Sequence, residues 1–323
     1  MEYRYCGRSG LMLPAISLGL WHNFGDATPL ATQEDIVLHA FEKGVTHFDL
    51  ANNYGPPAGS AETNFGRILA RGLKSHRDEI IVSSKAGHYM WPGPYGDLTS
   101  RKNTFASLHQ SLRRTGLEYF DIFYSHRYCP EIPLEETVQA LIDIVKQGKA
   151  LYVGLSKYPA DVAAKACAMM AEQHVRCLIY QDRYNMLCRK PEARHIDMLE
   201  NEGLGFIAFS PLAQGLLTNR YLNGIPADSR VYKEGAFLHK EDITAEWVEK
   251  ARRLNEIAAG RGQSLAQMSL SWVLARPRVT SVIAGVSSVA QLDDNLAALS
   301  APAFTAAELE AIDQILGDSI ARQ

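Results

Sequence analysis

Apolar residues along this chain fall into two alternating kinds of segment. Short β-rich runs at residues 16–18, 47–49, 80–84, 121–124, 151–155, 178–181, 205–209 and 282–285 each end in polar residues or glycine. Longer amphipathic stretches lie between them. One such stretch begins near Thr32 with Asp35 in its first turn, shows Ile36, Val37, Ala40 and Phe41 as an apolar stripe, and stops at Gly44. Another opens at Pro133-Leu134-Glu135-Glu136, carries Val138, Leu141, Ile142 and Val145 on one face, and ends at Gly148. Strand, helix and strand repeated at a spacing of roughly 30 residues predict βαβ units and a parallel sheet. Eight units predict closure into a (β/α)8 barrel. The alternative, an open doubly wound sheet, usually binds nucleotide through G-x-G-x-x-G after a strand, and no run here is followed by that motif.

Two features decorate this repeat. Ahead of the first run, Tyr3 to Leu11 reads as a hairpin with its turn at 7–10, placed to plug one end of the barrel. Between the last two runs lies an unusually long polar connection, 211–243, of the kind that carries function. No linker, repeat or low-complexity stretch divides the chain, so a single domain over 1–323 is expected.

Composition narrows the functional class. Hydrophobic residues make up 46% and charged residues 21%, a globular balance. A net charge of −3, from 33 basic and 36 acidic residues, argues against a nucleic-acid or polybasic membrane binder. No apolar run approaches the ~20 residues of a membrane span, and the N-terminus has no apolar signal core. Five cysteines, without a C-x-x-C pair, suggest reduced thiols in a cytoplasmic protein. The ten histidines form no tight ligand motif, so no metal is expected.

Barrel chemistry sits where the strands end. Asp49 closes the second run, Lys85 the third and His126 the fourth, and Tyr54 follows Asp49 on a loop. Singly, Asp49 reads as a helix cap, Lys85 as a solvated charge and Tyr54 as a surface aromatic. Together, at adjacent strand ends, they point to one mouth. A carbonyl reduction needs a hydride from a cofactor and a proton on oxygen. Tyr54 would supply the proton, Lys85 would lower its pKa, Asp49 would hold Lys85, and His126 would orient the carbonyl.

The order and spacing of Asp49, Tyr54, Lys85 and His126 resemble the aldo-keto reductase superfamily. The segment from Gly44 to Gly55 is similar to its signature. Within it, 20–25, 53–57, 90–96 and 211–218 look most like bacterial L-glyceraldehyde 3-phosphate reductases, with potassium-channel β-subunits as relatives. The resemblance implies NADPH as cofactor and small aldehydes as substrates, L-glyceraldehyde 3-phosphate and methylglyoxal among them. It implies nicotinamide contacts at Ser156, Lys157 and Gln181, and ring stacking on Phe209. Ser210, Pro211, Leu212, Ala213 and Gly215 would belt the pyrophosphate. Arg220 and Arg230 would meet the 2′-phosphate, Gly285 and Ser287 another phosphate, and Gln291, Asp294 and Asn295 the adenosine. Trp21 would border both cofactor and substrate, and Trp91 the substrate.

Two positions depart from the family pattern: Lys157 stands where many members have Asn or Arg, and Phe209 where many have Trp or Tyr. The resemblance also implies a homo-oligomer, tetramer or octamer. The competing reading is a channel-β-subunit-like protein that senses NADPH with slow turnover. His126 speaks against it, because the channel branch resembled here carries Asn at that position.

Overall fold

The computed structural model describes residues 1–227, 229–232 and 238–320, with the Arg230 side chain outside that set. An antiparallel hairpin, β1 (Tyr3–Tyr5) with β2 (Met12–Pro14), precedes the barrel. β3 (Ile16–Gly19) leads to α1 (Leu30–Glu42), β4 (His47–Asp49) to α2 (Ser60–Ile68), and β5 (Ile81–Ala86) to α3 (Arg101–Thr115). β6 (Phe120–Ser125) leads to α4 (Leu134–Lys146), and β7 (Ala150–Ser156) to α5 (Ala160–Glu172). β8 (Cys177–Arg183) is followed by α6 (Lys190–Arg194) and α7 (Ile196–Glu202). β9 (Gly205–Phe209) is followed by α8 (Ala245–Gly260) and α9 (Leu265–Leu274). β10 (Val279–Ala284) is followed by α10 (Val289–Leu296) and α11 (Ala306–Leu316). Strands β3 to β10 pair in parallel, in chain order, and β10 closes on β3. All eight expected runs are barrel strands.

Local chemistry explains where the elements begin and stop. α4 starts after Pro133 with Glu135 and Glu136 in its first turn, where a carboxylate meets the positive end of the helix. Its buried face includes Val138, Leu141 and Ile142, as the stripe requires. α1 starts at Leu30, earlier than the sequence suggested, because Pro29 sets the entry, and Asp35 therefore lies beyond the first turn.

Side chains alternate faces along a strand, and the barrel sorts them accordingly. Leu18, Phe48, Val82, Phe123, Val153, Leu155, Ala208 and Val282 face outward onto the helices in one core. Ile122, Tyr124, Ile179, Ile207 and Ile283 face inward. Cys6 and Leu13 of the hairpin complete that inner cluster, so the hairpin does plug the barrel at the N-terminal ends of the strands. Gly7 makes the fit possible: it has a φ of +58°, and a Cβ there would lie 2.1 Å from the Gly203 carbonyl oxygen.

The described part of the long connection after β9 is tied to the body of the protein. Leu217, Tyr221 and Leu238 are buried, and the Tyr221 hydroxyl lies 3.0 Å from Ser229 Oγ.

Candidate active site

With the bottom sealed, the open end of the barrel is where the C-terminal ends of the strands meet. The inward positions there are Asp49 on β4, Lys85 on β5, Ser156 on β7, Gln181 on β8 and Phe209 on β9, with His126 just past β6. Asp49, Lys85 and His126 are buried, whereas Tyr54 keeps partial exposure. Lys85 Nζ donates to Asp49 Oδ2 at 2.5 Å, to the Leu50 carbonyl at 2.7 Å and to the Tyr54 hydroxyl oxygen at 3.4 Å. These three bonds account for all three N–H groups of the ammonium. Because Tyr54 accepts from Lys85, its own O–H remains available for a ligand. The Tyr54 ring lies 6.0 Å from that of His126, edge to face, and 6.2 Å from that of Trp21. The four expected residues are therefore one assembly.

Its electrostatics correct one expectation. Burial, reinforced by the Asp49 carboxylate, raises the Tyr54 pKa well above the usual phenol range, so the net direction is opposite to the one expected from the Lys85 charge alone. The reason is that Lys85 is spent against Asp49: the pair is close to neutral, and desolvation decides the sign. Tyr54 is thus firmly protonated, the form a proton donor needs, while Lys85 stands ready to stabilise a phenolate once the proton has left. Burial likewise lowers the Lys85 pKa, against the pull of Asp49 and Glu62. His126 is pushed well below its usual value by burial and by the charges of Lys85, Lys157, His88 and Arg127. It is a neutral imidazole with one N–H to donate.

The cofactor candidates crown four neighbouring strands, β7 to β10. Ser156 is buried with no hydrogen-bond partner for its Oγ, an uncommon state that a carboxamide would relieve. Gln181 Nε2 reaches Asp49 Oδ1 at a long 3.3 Å, and β8 continues two residues past it, to Arg183. Phe209 ends β9 half-buried. Ser210 (φ 53°), Ala213 (φ 45°) and Gln214 (φ 61°) all take the left-handed conformation, as does Lys157 (φ 57°). Such backbone strain in side-chain-bearing residues gathers at ligand sites. Pro211 is buried, with Leu212 and Gly215 half-buried beside it.

Farther out, Asn295 is buried with Nδ2 unpartnered. Ser287 and Gln291 are exposed and bond to each other, Asp294 accepts from Gln267 at 2.7 Å, and Gly285 is exposed just beyond β10. Arg220 is exposed on the loop, and the expected role of Arg230 falls on a side chain outside the described residues. Orphaned polar atoms at both ends of this path and a strained loop between them fit an extended dinucleotide.

Trp91 is half-buried and, among the described residues, makes no ring contact with Tyr54 or His126. Two surface hollows also lie away from the four residues. One of about 550 Å³ is lined by Arg101, Phe105, His109 and Glu136; the other, about 590 Å³, touches Ser210 and Ala213 of the strained loop.

Sequence reasoning missed a polar layer under Asp49. His47 Nδ1 lies 2.9 Å from Ser17 Oγ and its Nε2 lies 3.0 Å from Ser83 Oγ, while Ser83 donates to Asp49 at 2.8 Å and Ser17 meets Ser281 at 2.7 Å. The signal was present: His47 precedes Asp49 by two residues, as Ser83 precedes Lys85, so all four side chains share the inward face. His88 was missed as well. Its ring stands 4.5 Å from that of His126, and its Nε2 is 3.2 Å from Lys157 Nζ.

Comparison with known proteins agrees with this geometry. L-glyceraldehyde 3-phosphate reductase of Escherichia coli (strain K12) is 54% identical over 322 residues, 98% of this chain and 93% of that protein. A probable voltage-gated potassium channel subunit beta of Arabidopsis thaliana is 33% identical over 323 residues, 98% of this chain and 97% of that one. A protein of the same description from Oryza sativa subsp. japonica shows the same 33% identity. Residues 15–317 match the aldo/keto reductase family along nearly the whole barrel, and the chain belongs to that family.

Proposed function

We propose that this chain is an NADPH-dependent reductase that converts small aldehydes to alcohols, with L-glyceraldehyde 3-phosphate and methylglyoxal as substrates. The observation that carries the reading is Tyr54: a protonated phenol, its oxygen accepting from Lys85 and its ring edge-on to a neutral His126. A bound reduced nicotinamide supplies the hydride that the carbonyl carbon accepts. Ser156, Gln181 and Phe209 would hold its ring, and Ser210 to Gly215 its pyrophosphate. His126 donates to the carbonyl oxygen and fixes its direction. Tyr54 passes its proton to that oxygen as charge develops, and Lys85, anchored by Asp49, stabilises the phenolate left behind.

The test is oxidation of NADPH followed by absorbance, with each aldehyde in turn. Tyr54→Phe should lower kcat about 100-fold or more, the usual worth of a general acid. Equal slow rates in wild type and variant would end this reading. Arg220→Ala should raise KM for NADPH several-fold and leave NADH unaffected; an NADH preference in the wild type would remove the 2′-phosphate role.

A second reading, a cofactor-sensing channel-subunit-like protein, is favoured by the likeness to the plant proteins. A channel partner retained in a membrane pull-down, with negligible turnover, would support it. The proposed protein acts in the cytoplasm as a single-domain homo-oligomer, tetramer or octamer, which light scattering would measure directly.

A further inference from the structure

Beyond the four catalytic candidates, the mouth carries a cation that the reduction itself does not use. Lys157 follows β7, exposed at the rim, and its side chain turns back across the strand ends to His88. His88 in turn lies edge-on to His126. From the reacting centre outward the order is Tyr54, His126, His88, Lys157, so a single imidazole separates the residue that would orient the carbonyl from a primary ammonium.

Most neighbouring charges are already matched. Lys85 is held by Asp49, and Arg127 donates to Asp97 at 2.7 Å and to the Gly87 carbonyl at 2.7 Å. Asp182 accepts from the Arg183 backbone N–H and the Tyr180 hydroxyl. Among the described residues Lys157 has no carboxylate within ion-pair distance; its side-chain partner is the His88 ring nitrogen. His88 is neutral, since burial and the nearby Lys157 and Arg127 hold its pKa down to about 4, partly offset by Asp97. Its Nε2 can therefore accept one N–H from Lys157, which aims the ammonium and leaves two N–H groups for a ligand.

We propose that Lys157, steered by His88, is the subsite for the phosphate of a short phosphorylated aldehyde whose carbonyl sits between Tyr54 and His126. This rests on the reductase reading above and names the substrate class of that same site. A phosphate monoester is largely dianionic at neutral pH and offers several strong acceptors. The arrangement at Lys157 is one that an anion would relieve. Partial burial of the ammonium and the charges of Lys85 and Arg127, with a smaller contribution from Arg183, bring its pKa down to about 8 against the opposing pull of Asp182, and a bound dianion would reverse that. The same site explains why Lys stands at this position: a long flexible ammonium reaches across the mouth, while a shorter amide would stay beside the cofactor.

The experiment compares kcat/KM for L-glyceraldehyde 3-phosphate and for unphosphorylated L-glyceraldehyde in wild type, Lys157→Met, Lys157→Arg and His88→Leu. Lys157→Met should cut the preference for the phosphorylated aldehyde by about 10- to 100-fold, the usual worth of a charge-assisted hydrogen bond. Lys157→Arg should keep most of the preference, and His88→Leu should lose part of it. A preference unchanged in Lys157→Met, or a variant whose only change is a higher KM for NADPH, would overturn the subsite and return Lys157 to the cofactor.

A binding arm reads the site without turnover: calorimetric titration of the NADP⁺-loaded protein with glycerol 3-phosphate, with inorganic phosphate as the second probe. Binding lost in Lys157→Met supports the subsite even in a protein that reduces no aldehyde, in which case the reductase reading alone would fall. Equal binding by wild type and Lys157→Met overturns the subsite whatever the turnover.

Discussion

Acid should loosen this barrel through one buried imidazole. His47 is fully buried between Ser17 and Ser83, and desolvation brings its pKa from 6.5 to about 4, with Asp49 raising it and Lys85 lowering it by smaller amounts. The folded state therefore binds a proton at His47 less readily than the unfolded state does. Its contribution to stability is complete above about pH 6.5, declines as pH falls, and levels off near pH 4. A displacement of about 2.5 pH units at 1.36 kcal/mol each amounts to about 3 kcal/mol.

Other histidines and carboxylates titrate in the same range, so the measurement is a difference. Urea unfolding, followed by tryptophan fluorescence from pH 7.5 to pH 4, is compared between wild type and His47→Gln. Glutamine cannot take up a proton, so the variant, whatever its stability at neutral pH, should lose about 3 kcal/mol less across that range. Parallel curves would refute the reasoning, as would a ¹³C-labelled His47 that titrates near pH 6.5 in the folded protein.

Two further outcomes follow from the inner layers. Lys85→Met leaves the Asp49 carboxylate buried without its cation and should cost about 3–5 kcal/mol in urea unfolding, part of it recovered when Asp49→Asn is added; a single variant as stable as wild type would contradict the pairing. Gly154→Ala should cost about 1–3 kcal/mol, because its Cβ would lie 2.5 Å from Tyr124 Cε1 inside the barrel, whereas Gly10→Ala, with open space around it, should stay within about 0.5 kcal/mol in the same assay.

The barrel was legible in the sequence because its strands are short apolar runs with polar ends, separated by helices of clear period. Boundaries were less so: Pro29 set the start of α1, a local effect that the apolar stripe does not record. The candidate assembly was legible for a related reason, since Asp49 and Lys85 are polar residues at the ends of β4 and β5 and His126 lies just past β6. What escaped was everything that depends on partners from distant strands. His47, Ser17 and Ser281 look like ordinary strand residues until closure brings β10 against β3 and β3 against β4. The direction of the Tyr54 pKa escaped too, because the expectation weighed the Lys85 charge but not the burial that sets the sign, nor the Asp49 carboxylate that adds to it. His88 lies in a loop with no periodic signal, and its tie to Lys157 spans 69 residues of chain.

The three committed N–H groups of Lys85 bear on how a barrel that reduces aldehydes, as proposed above, would survive its own substrates. Small aldehydes condense with primary amines to give imines, and that attack requires a nitrogen lone pair facing an open approach. Lys85 offers neither, with its hydrogens directed at Asp49, the Leu50 carbonyl and Tyr54 and its side chain sealed from solvent. The amine nearest the reacting carbonyl is thereby chemically silenced. Electrophiles could pass through the mouth again and again without titrating away the residue on which turnover depends.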